Sequence, residues 1–101
     1  MTSQPVELNA ATELFNDSVR QAAARQLSVV DLFKATATLG SLNQKPLVVE
    51  LYKSWVAYNA DHPLIYAVYF NYGVSLTAAR DRAGAINAFR EGIRLKPDFY
   101  P

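Results

Sequence analysis

Pro63 and Pro97 stand 34 residues apart, and the residues near them match under the same shift. Leu51 falls on Ala85, Tyr52 on Ile86, Trp55 on Phe89, Ile65 on Phe99 and Tyr66 on Tyr100. A proline disfavours helix in the residue before it, so each one closes a unit. A repeat of this length closed in this way is a pair of helices, which must bury its apolar face against a neighbouring pair.

Helical periodicity fills the space around the two prolines. A first run, Val6 to Arg25, places Leu8, Ala11, Leu14, Phe15, Val19, Ala22 and Ala23 on one stripe. Glu7, Glu13 and Asp17 come early in it and Arg20 and Arg25 late, as the helix dipole favours. Ser28 followed by Asp31 predicts an N-cap for a second run, Val29 to Leu42, whose stripe is Val29, Leu32, Phe33, Thr36, Leu39 and Gly40. Asn43 to Pro46 is a turn. The third run, Leu47 to Ala60, carries Val48, Leu51, Tyr52, Trp55 and Tyr58 at helical spacing, and Asp61-His62-Pro63 stops it. Pro63 suits the first turn of a fourth run, Leu64 to Ala79. That run is apolar almost all round and is expected to be the most buried element. After Arg80-Asp81-Arg82, a fifth run, Ala83 to Leu95, points Ala85, Ile86, Phe89, Gly92 and Ile93 inward and Arg82, Arg90, Glu91, Arg94 and Lys96 outward. The expected fold is all-α: about five helices in antiparallel hairpins, stacked as a superhelix within a single domain over residues 1–101.

Composition narrows the function classes. Half of the residues are hydrophobic and 19% are charged, which excludes a disordered chain. A net charge of +1 and a pI near 8.0 do not mark a polyanion binder. There is no cysteine, so disulfides and thiolate metal sites are excluded. No apolar run reaches membrane-spanning length. Met1 to Asn9 has neither the basic start nor the apolar stretch of a secretory leader, and the default expectation is a cytoplasmic protein with no membrane partner.

Tyr69, Tyr72, Gly73 and Leu76, followed by Ala85, Phe89, Gly92 and Pro97, form a sharper pattern. In it the segment from Tyr66 to Phe99 resembles a tetratricopeptide repeat. Gly73 and Ala85 would let the two helices of a hairpin approach, Phe89 would fill the seam, and Gly92 would admit the next hairpin. On this resemblance residues 63–97 are a well-matched repeat. Residues 29–62 are a degenerate one: Leu51, Trp55 and Pro63 fit, but Leu39 takes a small-residue place and Gly40 falls one late, through either a one-residue slip or looser packing. Residues 6–26 look like an N-terminal capping helix. Residues 98–101 look like the start of a further repeat, so the chain is expected to be the N-terminal fragment of a longer array. The fifth helix would then expose an apolar strip at Phe89, Ile93 and Tyr100, able to pair with a second copy.

No enzyme chemistry is expected. His62, the only histidine, lies in a turn with no metal-ligand set around it. No nucleophile has a histidine partner by motif, the carboxylates are scattered, and Gly73 and Gly84 lack phosphate-loop spacing. Catalytic residues, metals and cofactors are all expected to be absent. The series Trp55, Tyr58, Tyr66, Tyr69, Phe70 and Tyr72 is assigned to packing rather than base stacking. Arg80, Arg82, Arg90, Arg94 and Lys96, diluted by Asp81, Glu91 and Asp98, are assigned to a solvated face, so no nucleic-acid partner is expected.

The first helix of each stacked pair lines the concave side of such arrays. The resemblance therefore implies a peptide-binding groove at Ala67, Phe70, Asn71, Val74, Thr77 and Ala78. Asn71 occupies the place at which O-linked N-acetylglucosamine transferases carry an asparagine ladder on peptide backbone. A side-chain amide both donates and accepts, which suits that role. Phe70 and Val74 stand where some co-chaperones clamp a terminal carboxylate with lysines, which speaks against that clamp here. "HPLIYAVYFNYGVSL" with "AFREGIRLKPDFYP" also resembles the N-terminal region of bacterial SPINDLY-type glycosyltransferases. That resemblance implies the targeting arm of a protein O-glycosyltransferase. No residue matches a catalytic motif of that family.

Overall fold

The structure, a computed structural model, describes residues 6–99, with side chains from residue 9 onward. Five helices follow one another: α1 Val6–Ala23, α2 Val29–Ser41, α3 Lys45–Tyr58, α4 Ile65–Ala78 and α5 Arg82–Leu95. Among the described residues all regular structure is helical. None of these helices is long and apolar enough to cross a membrane.

The helix ends have local causes. The Ser28 hydroxyl accepts the Asp31 N–H at 3.1 Å, the cap its sequence predicts. Asp81 does the same for Gly84 at the start of α5, at 2.9 Å. Three helices finish in one way: Gln26, Gln44 and Asp81 donate their N–H groups to the carbonyls of Gln21, Leu39 and Leu76, five residues back. Each closure turns on a residue with φ near +60°, namely Arg25, Asn43 and Arg80. This is the Schellman ending, normally built on glycine. α3 starts at Lys45, two residues earlier than its periodicity suggests, with Pro46 in its first turn, where its missing N–H costs nothing. α4 starts at Ile65, after Pro63 rather than with it in the first turn.

α3 is the hub. It packs against α1, α2 and α4, while α5 packs on α4. The main core joins Leu32 and Leu39 of α2 to Leu51 and Trp55 of α3 and Val68 of α4. Trp55 is 0% exposed and donates its indole N–H to the Leu27 carbonyl at 2.9 Å. Buried Asn59 donates to the Ala22 carbonyl at 3.2 Å and the Trp55 carbonyl at 3.0 Å. Arg25 reaches the Tyr58 carbonyl at 2.8 Å and the Asp61 carboxylate at 2.7 Å, and its hydrogen bond holds that carboxyl below the ordinary range. These bonds tie the α1–α2 turn to the α3–α4 turn.

α4 and α5 form an antiparallel hairpin. Tyr66 faces Lys96, Phe70 and Gly73 face Phe89, and Leu76 clusters with Ala85, so the pairing runs in opposite senses along the two helices. A Cβ on Gly73 would lie 2.6 Å from the Phe89 ring, so glycine permits this closeness. Gly73 and Phe89 thus meet at the seam the sequence assigns to them.

Other packing expectations need correction. α4 is not covered on every side: Leu64 just before it is exposed, and Val74 is 48% exposed. Its apolar girth exceeds what α3 and α5 can cover. In α5 the buried residues are Ala85, Ala88 and Gly92, with Phe89 half-buried and Ile86 and Ile93 each 44% exposed. Its inward face is therefore the small-residue stripe rather than the isoleucine one, because α4 and α5 approach too closely for larger side chains. Tyr58 is 50% exposed, outside the aromatic packing expected of it. In α1, Ser18 is buried and Ala23 exposed, while Ala11 and Ala22 sit in the core as expected.

Three tyrosines make the fold sensitive to alkali. Burial pushes the hydroxyls of Tyr52, Tyr69 and Tyr72 above their ordinary value; Glu91 adds to this at Tyr69 and Glu50 at Tyr72. The unfolded chain releases these protons near pH 10 while the folded chain still holds them. Stability is thus fully present below about pH 10 and falls as pH rises through the folded-state values. Helical circular dichroism is expected to fall over the pH range in which tyrosinate absorbance grows, less steeply in Tyr52→Phe. A helical signal that stays flat while the tyrosines ionise would contradict this.

Candidate functional site

α2 and α4 both pack on α3, antiparallel to it, so they run parallel to one another with a gap between them. The gap is an open cleft of about 410 Å³. Phe33, Thr36, Ala37 and Gly40 line it from α2, Lys45, Val48 and Tyr52 from α3, and Asn71, Ser75 and Ala78 from α4. The α4 residues are spaced by four and three, which makes them one stripe facing α2.

The polar groups of the cleft differ in how far they are satisfied. The Tyr52 and Thr36 hydroxyls lie 3.0 Å apart, and Thr36 also donates to the Phe33 carbonyl at 3.1 Å. With the threonine proton so engaged, Tyr52 is the donor to Thr36. The Tyr52 ring stacks on Tyr72, centroids 5.9 Å apart, and fixes the depth at which α4 sits on α3. Asn71 is half-buried, and its side-chain amide finds no hydrogen-bond partner among the described residues. Lys45 makes no ion pair among the described residues.

Comparison with protein-family models, curated proteins and solved structures gave no match to this chain. What the site can do rests on its own geometry.

The six groove residues named from sequence lie on one arc of α4, but only some of them line the cleft. Asn71 and Ala78 line the cleft. Thr77 lines a second hollow of about 400 Å³, with Arg80, Arg82, Ala85, Ile86 and Phe89. Phe70 is half-buried among aromatic rings, with Phe89 at 5.9 Å and Phe99 at 6.1 Å. Ala67 is half-buried and Val74 faces outward. Of the self-association residues, Phe89 is occupied at the seam, Ile93 is exposed, and Tyr100 lies outside the described residues. His62 is no bare turn residue: its ring rests on Trp55 at 5.2 Å and its Nδ1 accepts the Leu64 N–H at 3.0 Å, just ahead of α4.

Sequence reasoning passed over Ser75 and Lys45 and put Gly40 on the packed stripe of α2, whereas Gly40 is exposed. The spacing of Ser75 from Asn71 held a signal for the first. Gly40 held one too, since it stands inside the last turn of α2 rather than just past its end, where glycine normally closes a helix. A Cβ there would meet nothing within 4 Å, and its φ is not positive. Gly40→Ala is therefore expected to stabilise the protein by up to about 1 kcal/mol, read as a raised midpoint in urea. A lowered midpoint would mean that the backbone needs glycine there.

Proposed function

We propose that the chain is a non-catalytic, tetratricopeptide-like module that holds an extended segment of a partner protein in the α2–α4 cleft. The observation that carries this is the Asn71 amide: half-buried, unpartnered among the described residues, and facing an apolar trough. The amide is still open to water and is committed to no group among the described residues, so it is free to pair with a peptide bond, which offers it both a donor and an acceptor. The Gly73–Phe89 seam supports the repeat reading, because the two residues meet where that pattern wants closeness. The more specific form of the proposal is the targeting arm of a SPINDLY-type protein glycosyltransferase in a bacterial cytoplasm.

Selection of phage-displayed random dodecapeptides tests the binding reading. Peptides enriched on the wild-type protein are expected to bind Asn71→Ala about tenfold more weakly, the effect of roughly 1.4 kcal/mol, with an unchanged melting temperature. Failure to enrich any peptide, or equal binding by the variant, would remove the proposal.

A second reading has its own observation. Ile86, Ile93, Leu95 and Phe99 are all exposed on or just beyond α5. They would support pairing with a second copy, without any groove ligand. Sedimentation equilibrium of wild type and Ile93→Lys separates the two readings: a dimer lost on adding the charge favours self-association.

A further inference from the structure

Gly40 and Lys45 give the cleft a chemical polarity. α2 and α4 run parallel, so Phe33 and Asn71 share one end of the trough and Gly40 and Ala78 the other. Lys45 opens α3 at the Gly40 end. It is the one formal charge on the lining, and no carboxylate among the described residues neutralises it. Gly40 leaves the helix backbone bare beside it, with open space where a side chain would stand. Gly73 has a packing reason in Phe89, whereas Gly40 has no such neighbour. A glycine beneath empty space in a cleft suits a ligand chain that passes close to the helix.

We propose that the segment held in this cleft is an extended peptide that crosses α2 at Gly40 and places an acidic side chain on Lys45. The seven positions from Asn71 to Ala78 span about 10 Å along a helix axis. An extended chain covers that distance in about three residues. The acidic residue therefore lies about three residues from the peptide unit that Asn71 holds. Only a side-chain carboxylate is meant: a segment running along the trough presents its side chains, and not its terminus, to Lys45. This rests on the peptide-binding reading above and goes beyond it by naming what the cleft selects.

The probes are nonapeptides of alternating serine and leucine, acetylated and amidated so that no terminal charge remains. Glutamate stands three residues before or three after the central leucine, and glutamine replaces it in the controls. Fluorescence anisotropy with wild-type protein is expected to show one glutamate peptide binding about three- to fivefold tighter than its glutamine counterpart. That advantage should vanish in Lys45→Met and at about 0.5 M salt, where the charge is screened. Gly40→Met, whose Cβ meets nothing within 4 Å and whose flexible chain projects into the trough, should weaken glutamate and glutamine peptides alike, with no loss of melting temperature. Glutamate and glutamine peptides of equal affinity would overturn the acidic preference while leaving peptide binding intact. Undiminished binding by Gly40→Met would overturn the path over α2. Absence of binding by every nonapeptide would overturn this inference, and the phage selection then decides separately whether the peptide-binding reading survives.

Discussion

Trp55→Ala is expected to lose about 3–5 kcal/mol of folding free energy, a large fraction of the roughly 5–15 kcal/mol that holds a domain of this size. The side chain is fully enclosed between α2, α3 and the turn that precedes α2. Two losses add. Removing the indole leaves a void in the core that holds Leu32 and Leu51, and the Leu27 carbonyl loses its buried donor. His62 also loses the ring it rests on. Trp55→Phe shifts the balance between the terms, since it keeps most of the volume while removing the N–H. An intermediate loss of about 1–3 kcal/mol is expected for it. Urea unfolding followed by far-ultraviolet circular dichroism measures both, because the tryptophan signal itself is gone. Midpoints of Trp55→Ala within error of wild type would show that the ring is not the keystone its burial implies.

Gly73→Ala is the second large effect. A methyl group at this position would sit 2.6 to 2.8 Å from three atoms of the Phe89 ring, well inside van der Waals contact. Either the ring swings toward solvent or α4 and α5 part. Overpacking of this kind costs about 1–3 kcal/mol, and the better helix propensity of alanine returns up to about 1 kcal/mol of it. A net loss of about 1–2 kcal/mol is expected. The cause is testable by pairing: Phe89→Leu frees the space, so Gly73→Ala should cost much less in that background than alone. Strict additivity of the two changes would mean that the clash is relieved by other means.

These two positions also show what a sequence can carry. Trp55 and Phe89 were legible because helical spacing and the 34-residue shift mark them, and the closeness of Gly73 to Phe89 was implied by the resemblance to a tetratricopeptide repeat. The Ser28 cap was legible for the same reason, being written in four consecutive residues. The three Schellman closures were not, since Arg25, Asn43 and Arg80 replace the glycine that announces such turns. Periodicity alone points the isoleucine face of α5 inward, because it weights large apolar residues. Between two helices drawn close by Gly73, Ala85 and Ala88 fit and the isoleucines do not. The cleft was only half legible. Asn71 stood out by its residue type, but Lys45 and Gly40 acquire meaning only when α3 brings two hairpins side by side, and no local pattern encodes that.

The side-chain bonds from Arg25, Trp55 and Asn59 all gather where the α1–α2 and α3–α4 turns meet. The molecule therefore has one cross-braced pole, and the α4–α5 arm joins it through packing on α3. Any load that a captured segment places on the cleft would be borne as compliance of that arm, widening or narrowing the trough, while the three-helix base keeps its shape.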